Sequence, residues 1–288
     1  MHARPRLRAA LHTLPALVTA QSAGNRRRTA DTPLHVVADQ MRDARFCGGS
    51  VWLSDGTLDK QIEANLDDFD FDSLAQACAV LPVDCHTYMT ARNTSATIAK
   101  LADAGVTRIT LQLEAYIAKG DCVSGLADAV VEAVDEVRTR GVTSVGIAVL
   151  PGTSATDLLC TLGDEDMLTD HVSVLMSNPG VWRYERTLVD KLYRICGLLD
   201  GTSATVSAVG CITSSSIPFI ARSGAHEATA LGIGYYASSL GPGTGPRAAV
   251  PPCASTVEHT EAAAVRKDAV TRWHAATHIE NYLLRARE

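Results

Sequence analysis

Between Leu81 and Ile233, short valine- and isoleucine-rich runs alternate with helical segments, and this alternation restricts the fold more than any other feature of the chain. Arg108-Ile-Thr-Leu-Gln-Leu-Glu114, Ser144-Val-Gly-Ile-Ala-Val-Leu150 and Asp170-His-Val-Ser-Val-Leu-Met-Ser-Asn-Pro-Gly180 are apolar on both faces. That pattern suits strands of a parallel sheet covered on both sides by helices. Residues 81–89, Thr205–Val209 and Ala228–Ile233 read as further strands. Helices are expected over Thr94–Ala104, Leu126–Arg140, Thr156–Leu162, Leu188–Leu199 and Ser214–Arg222, with Gly105, Gly141 and Gly224 as three of their stops. Strands separated by helices of this length make βαβ units, and about eight units close into a (β/α)8 TIM barrel.

The beginning of the chain is less regular. Leu34-His-Val-Val-Ala38 follows Pro33, is β-branched, and reads as an early strand with Asp39, Gln40 and Asp43 past its tip. Leu11–Val18 reads as a first strand or a short helix, and Gly48-Gly49 and Asp55-Gly56 read as turns. Residues 1–28 carry Arg4, Arg6, Arg8 and Arg26-Arg27-Arg28, a basic segment expected to be solvated or disordered, so the barrel is expected over 29–240. Residues 241–288 form a Gly/Pro linker and a C-terminal helix suited to packing or oligomer contact.

Composition narrows the function. The chain has 288 residues, 46% of them hydrophobic, enough for one large core. A net charge of -6 argues against a nucleic-acid surface, and no apolar run approaches the ~20 residues of a membrane span. Eight cysteines lie singly in apolar contexts with no C-x-x-C pair, a pattern of reduced core cysteines that points to the cytoplasm.

Four pieces in register carry a family resemblance. Val83-Asp-Cys-His-Thr-Tyr-Met89, Ile109-Thr-Leu-Gln-Leu-Glu-Ala115, Gly146-Ile-Ala-Val-Leu-Pro-Gly-Thr153 and Val174-Leu-Met-Ser-Asn-Pro-Gly180 are similar to D-V-H-L-M, I-T-x-H-x-E-A, G-x-A-L-N-P-x-T and V-x-M-S-V-N-P-G. These are motifs of the ribulose-phosphate 3-epimerase family, which the chain resembles over about residues 30 to 238. The resemblance implies an isomerase that moves a proton next to the carbonyl of a ketose or ketose phosphate. It implies a divalent metal held by two histidines and two aspartates. Of these, His86 is kept, while Ala38 stands for a histidine, Gln40 for an aspartate, and Val209 for the seventh-strand aspartate.

The expected enzyme is therefore a divergent 3-epimerase with no complete metal site and no other cofactor. His86 polarises the oxygen, and Asp39 or Asp43 acts with Glu114 on the protons. Gln112, Met176, Asn178, Gly180, Arg183, Gly210 and Gly232 are expected to contact the sugar or its phosphate, Arg183 replacing glycine-loop donors with a fork suited to an anion. The partner is a small sugar or sugar phosphate, and a homo-oligomer is expected. A metal-free lyase or other carbon-acid enzyme of a specialised biosynthetic pathway, and a catalytically dead barrel used as a binding scaffold, stand as alternatives.

Overall fold

The computed structural model describes residues 6–10, 33–43, 46–58, 66–116, 123–155, 169–177, 184–212 and 216–230. Eight parallel strands close into a barrel in chain order: β1 (Arg6–Ala10), β2 (Gly48–Ser54), β3 (Val83–Tyr88), β4 (Arg108–Gln112), β5 (Ser144–Val149), β6 (His171–Leu175), β7 (Thr205–Ile212) and β8 (Glu227–Ala230). Pairing of β1 with β8, Arg8 opposite Thr229, completes the ring. The connections carry α1 (Leu34–Asp43), α2 (Phe71–Cys78), α3 (Ala91–Asp103), α4 (Val123–Thr139), α5 (Val189–Leu198) and α6 (Ile217–Arg222). The (β/α)8 architecture expected from the alternation is present. Among the described residues, no helix is long and apolar enough to cross a membrane.

The strands alternate between two environments. Val51, Leu53, Val83, Cys85, Ile109, Leu111, Ile147, Val172, Val174, Met176, Val206 and Ala208 face outward into one apolar layer shared with the helices. Helix faces supply the other half: Ile98 and Leu101 from α3, Val130, Val134 and Val137 from α4, and Leu192 and Ile195 from α5. Local signals start and stop these helices. Asp70 Oδ1 accepts from Ser73 N at 2.9 Å to cap α2, and Gly105 takes φ +77 after α3.

The early part of the chain differs from the sequence expectation. Leu34–Asp43 is a helix, not a strand, because Leu34, Val37, Ala38 and Met41 recur at helical spacing and Pro33 precedes the first turn. Ala38 is fully buried among the core residues. The second strand is instead Gly48–Ser54, whose two leading glycines read as a turn. Gly48 is required there, since a Cβ would lie 2.6 Å from Arg8 Nη1 and 2.8 Å from Pro82 O. The first strand, Arg6–Ala10, comes from the basic segment. Leu11–Val18, Thr156–Leu162 and the C-terminal helix lie outside the described residues.

Barrel interiors are commonly filled by branched aliphatic residues, but this one is polar at its base. Arg8 Nε donates to Glu227 Oε2 at 2.8 Å, and Arg108 Nη1 reaches the same oxygen at 3.0 Å and Asp84 Oδ2 at 3.6 Å. Thr110 Oγ1 donates to Asp84 Oδ1 at 2.7 Å. Burial alone would raise the Glu227 carboxyl, but Arg108 and then Arg8 outweigh it and hold it at about 2. Beside this network His171 bonds Thr205 Oγ1 at 2.7 Å, Ser207 Oγ at 2.9 Å and Ser173 Oγ at 3.1 Å. Burial, followed by Arg108, keeps its imidazole well below the ordinary histidine range.

Removing one partner of a buried ionic group strands the others. Glu227→Ala is expected to destabilise the fold by about 3–5 kcal/mol, measured as a fall in the urea midpoint at neutral pH.

Candidate functional site

The C-terminal ends of the strands bring together a polar wall and an apolar floor, the position where barrel enzymes build their sites. The floor is made of Trp52, Tyr88, Leu175, Val209 and Cys211, with Leu58, Leu150 and Tyr184 packed on it. These residues come from β2, β3, β6 and β7, so the floor spans the barrel from one side to the other. It separates the ionic base from the mouth.

The wall is built on β3 and β4. His86 Nε2 lies 2.7 Å from Gln112 Oε1. Because that oxygen only accepts, the proton sits on Nε2 and leaves the lone pair on Nδ1. Gln112 Nε2 donates to Glu114 Oε2 and to Ala148 O at 3.3 Å. Glu114 stands in a 3-10 turn, Leu113–Ala115, that follows β4. Its other oxygen accepts from Leu150 N at 2.8 Å and from the Thr153 hydroxyl. A carboxylate is thus held at one end of a hydrogen-bonded chain and an imidazole at the other, with the amide of Gln112 between them.

His86 is almost fully buried, and its ring packs edge-on to Trp52 with centroids 4.1 Å apart. Burial pushes its pKa down to about 4 against the opposing pull of Asp84 and of the Gln112 bond. The imidazole is therefore neutral at physiological pH. On the rim, Lys191 from the first turn of α5 donates to Leu150 O at 2.6 Å and Pro151 O at 3.3 Å. Burial lowers its pKa to about 8, opposed by Glu114. Asp55, past β2, accepts from Thr90 N at 2.9 Å and Asn93 Nδ2 at 2.8 Å, which ties the β2 exit to the start of α3.

Of the residues singled out in the sequence, His86, Gln112 and Glu114 are brought into one chain. Asp39 is not near them. It lies on α1, which runs down to the opposite end of the barrel, and pairs in the open with Arg42 at 2.9 Å. Asp43 ends the same helix, so neither aspartate sits at a strand tip. Met176 faces the helix layer rather than the mouth. Gly210 lies at the upper end of β7 with φ +89. Asn178, Gly180, Arg183 and Gly232 lie outside the described residues. Lys191, Ser177 and Tyr184 were not singled out, since no local pattern shows a helix or loop residue leaning over a barrel mouth.

The metal set implied by the epimerase resemblance does not fit. Among the described residues no group of three or more His, Cys, Asp or Glu could hold an ion. The positions aligned with the second-strand ligand and aspartate, Ala38 and Gln40, lie on a helix.

No family model and no curated protein matches the sequence. Solved structures do match in fold. The 4-hydroxy-tetrahydrodipicolinate synthase of Methylacidiphilum fumariolicum SolV is similar with TM-score 0.52 and 9% identity, over 83% of this chain and 72% of that one. The dihydrodipicolinate synthase of Bacillus clausii aligns with TM-score 0.50 and 9% identity, over 78% and 68%. A mutant tryptophan synthase α-subunit of Pyrococcus furiosus aligns with TM-score 0.53 and 13% identity, over 83% and 90%. Identities this low establish the barrel alone. They also correct the family expectation: the likeness runs to synthases of the dihydrodipicolinate type rather than to ribulose-phosphate 3-epimerases, and the isomerase assignment falls with it.

The His86 shift has a thermodynamic consequence. The unfolded imidazole takes a proton near 6.5, the folded one near 4, so between these values the unfolded state binds more protons and acidification favours it. The loss reaches about 3 kcal/mol at pH 4, with His171 adding to it in the same direction. Chemical denaturation across pH 7 to 4 checks this, and His86→Gln is expected to flatten the pH slope by up to one proton.

Proposed function

We propose that the protein is a lyase-type enzyme that moves a proton next to the carbonyl of a small uncharged substrate, with His86 as the acid–base group. The observation that carries this reading is the chain His86–Gln112–Glu114 at the barrel mouth, with His86 neutral and its tautomer set by Gln112. Such a histidine accepts a proton at Nδ1 and returns it. The imidazolium that forms is met by the Gln112 oxygen and by the field of Asp84, while Glu114 polarises the amide from behind.

The reaction class follows from this arrangement. Nδ1 removes a proton α to the carbonyl, and the C–H electron pair moves toward the carbonyl oxygen. Its return expels a group from the β carbon, and that group leaves with the proton from Nδ1. None of the eight strands carries a lysine, so the reading uses proton transfer rather than an imine formed on a strand amine. An uncharged substrate suits the mouth: Lys191 is bound to two main-chain carbonyls and faces Glu114. The synthases and the tryptophan synthase α-subunit that share the fold are consistent with a lyase or a related barrel enzyme acting on a small molecule. A homo-oligomer and a cytoplasmic location belong to the same proposal.

Proton NMR in D2O with hydroxyacetone, free ketoses and β-hydroxy ketones is the test. Wild type is expected to exchange the α proton, and His86→Gln to slow the exchange by about 10²–10⁴. The rate constant kcat/KM is expected to be flat above pH 5 and to fall as pH drops through about 4, where His86 takes its proton. No exchange with any compound, or full exchange in His86→Gln, would overturn the assignment.

A further inference from the structure

Across the floor from His86, two hydroxyl groups are buried without a hydrogen-bond partner among the described residues: Ser177 Oγ and Tyr184 Oη. Ser177 is fully buried just past the end of β6, and Tyr184 returns beside it in an isolated antiparallel bridge. Glu185 N donates to Met176 O at 2.8 Å, so Ser177 and Tyr184 form the non-hydrogen-bonded pair of that bridge. Side chains of such a pair lie on one face at the closest cross-strand spacing. Alternation along β6 from Leu175 points Ser177 into the mouth, and Tyr184 packs on the floor.

The neighbouring backbone is shaped around Ser177. A Cβ on Gly210 would lie 2.8 Å from Ser177 Oγ and 2.5 Å from Leu175 Cδ1, and Gly210 takes φ +89. Cys211 follows at φ 53, a left-handed conformation rare for a residue with a side chain, where the β7–β8 pairing shifts register. Strained backbone of this kind gathers at ligand sites. A buried hydroxyl with no partner is costly to the fold, and the two on this bridge call for an acceptor that the described residues do not supply.

We propose that Ser177 and Tyr184 are the seat of the substrate's carbonyl oxygen, both hydroxyls donating to it across the floor from His86. The inference rests on the carbonyl reading given above and adds to it the group that receives the developing negative charge. The acceptor oxygen gains electron density as the α proton leaves, so donors aimed at it hold the transition state more tightly than the ground state. Tyr184 keeps its proton for this purpose, since burial raises its pKa against a small opposing effect of Arg186. Proton and oxygen are then handled on opposite walls, β3–β4 and β6–β7.

The full-length chain, Ser177→Ala and Tyr184→Phe are compared with hydroxyacetone carrying a 13C carbonyl. Three readings are taken: α-proton exchange by NMR, the carbonyl stretch of the bound probe by infrared difference spectroscopy, and the melting temperature. Each substitution is expected to slow exchange by about 10²–10³ and to move the bound carbonyl stretch to higher frequency. The melting temperature should stay level or rise, because the hydroxyl removed has no partner among the described residues. Unchanged exchange and stretch in both variants would overturn the oxygen seat while leaving the His86 reading standing. A loss of exchange explained by a fall in melting temperature, with the stretch unmoved, would overturn it too. If wild type neither binds nor exchanges the probe or any compound of the wider panel, the carbonyl reading fails and the seat with it.

Discussion

Glu227 is the group on which the interior of this barrel depends. A closed parallel sheet must fill its own centre, and here the base is filled by two guanidinium groups and two carboxylates whose formal charges cancel. Glu227 stands on β8, yet it holds Arg8 of β1 and Arg108 of β4, while Asp84 of β3 takes the remaining contact. These charges are tolerable in a low-dielectric interior only as a matched set. The set therefore fixes which residues of β1, β3, β4 and β8 share a level, and the hydrogen bonds of His171, Ser173 and Ser207 extend that order to β6 and β7.

Above this base the apolar floor changes the dielectric setting of the mouth. His86 sits against Trp52 and is stripped of water, and that is why it stays neutral despite an aspartate two residues away on the same strand. Gln112 relays the Glu114 carboxylate to it without placing a charge beside the ring. The fold is shared with enzymes of several reactions, so the chemistry must be read from this arrangement and not from the barrel.

Much of the barrel was legible because its strands from β3 to β8 are short β-branched runs between helices with glycine stops. The errors came where two signals competed. Leu34–Ala38 is rich in valine and reads as a strand, yet its spacing to Met41 is helical, and packing of Ala38 into the core decided in favour of the helix. Gly48-Gly49 reads as a turn, but the glycines make room for Arg8 at the start of β2. Misplacing that strand put Asp39 and Asp43 at a strand tip, whereas both lie on α1. His86, Gln112 and Glu114 were legible as residues at the ends of successive strands. Ser177 and Tyr184 were not, because their meaning lies in a bridge between two residues distant in the chain and in the lack of partners among the described residues, which no local pattern records.

The seam between β1 and β8 bears on how the chain reaches this state. Arg8 and Glu227, which close it, are 219 positions apart, so β1 leaves the ribosome roughly ten to forty seconds before its partner exists. Through that interval one edge of the growing sheet keeps its backbone donors and acceptors unpaired, and the guanidinium of Arg8 has no counter-charge from β8. Ring closure is thus the late, non-local event of assembly, and the nascent chain's exposure to edge-to-edge association ends only when the last strand arrives.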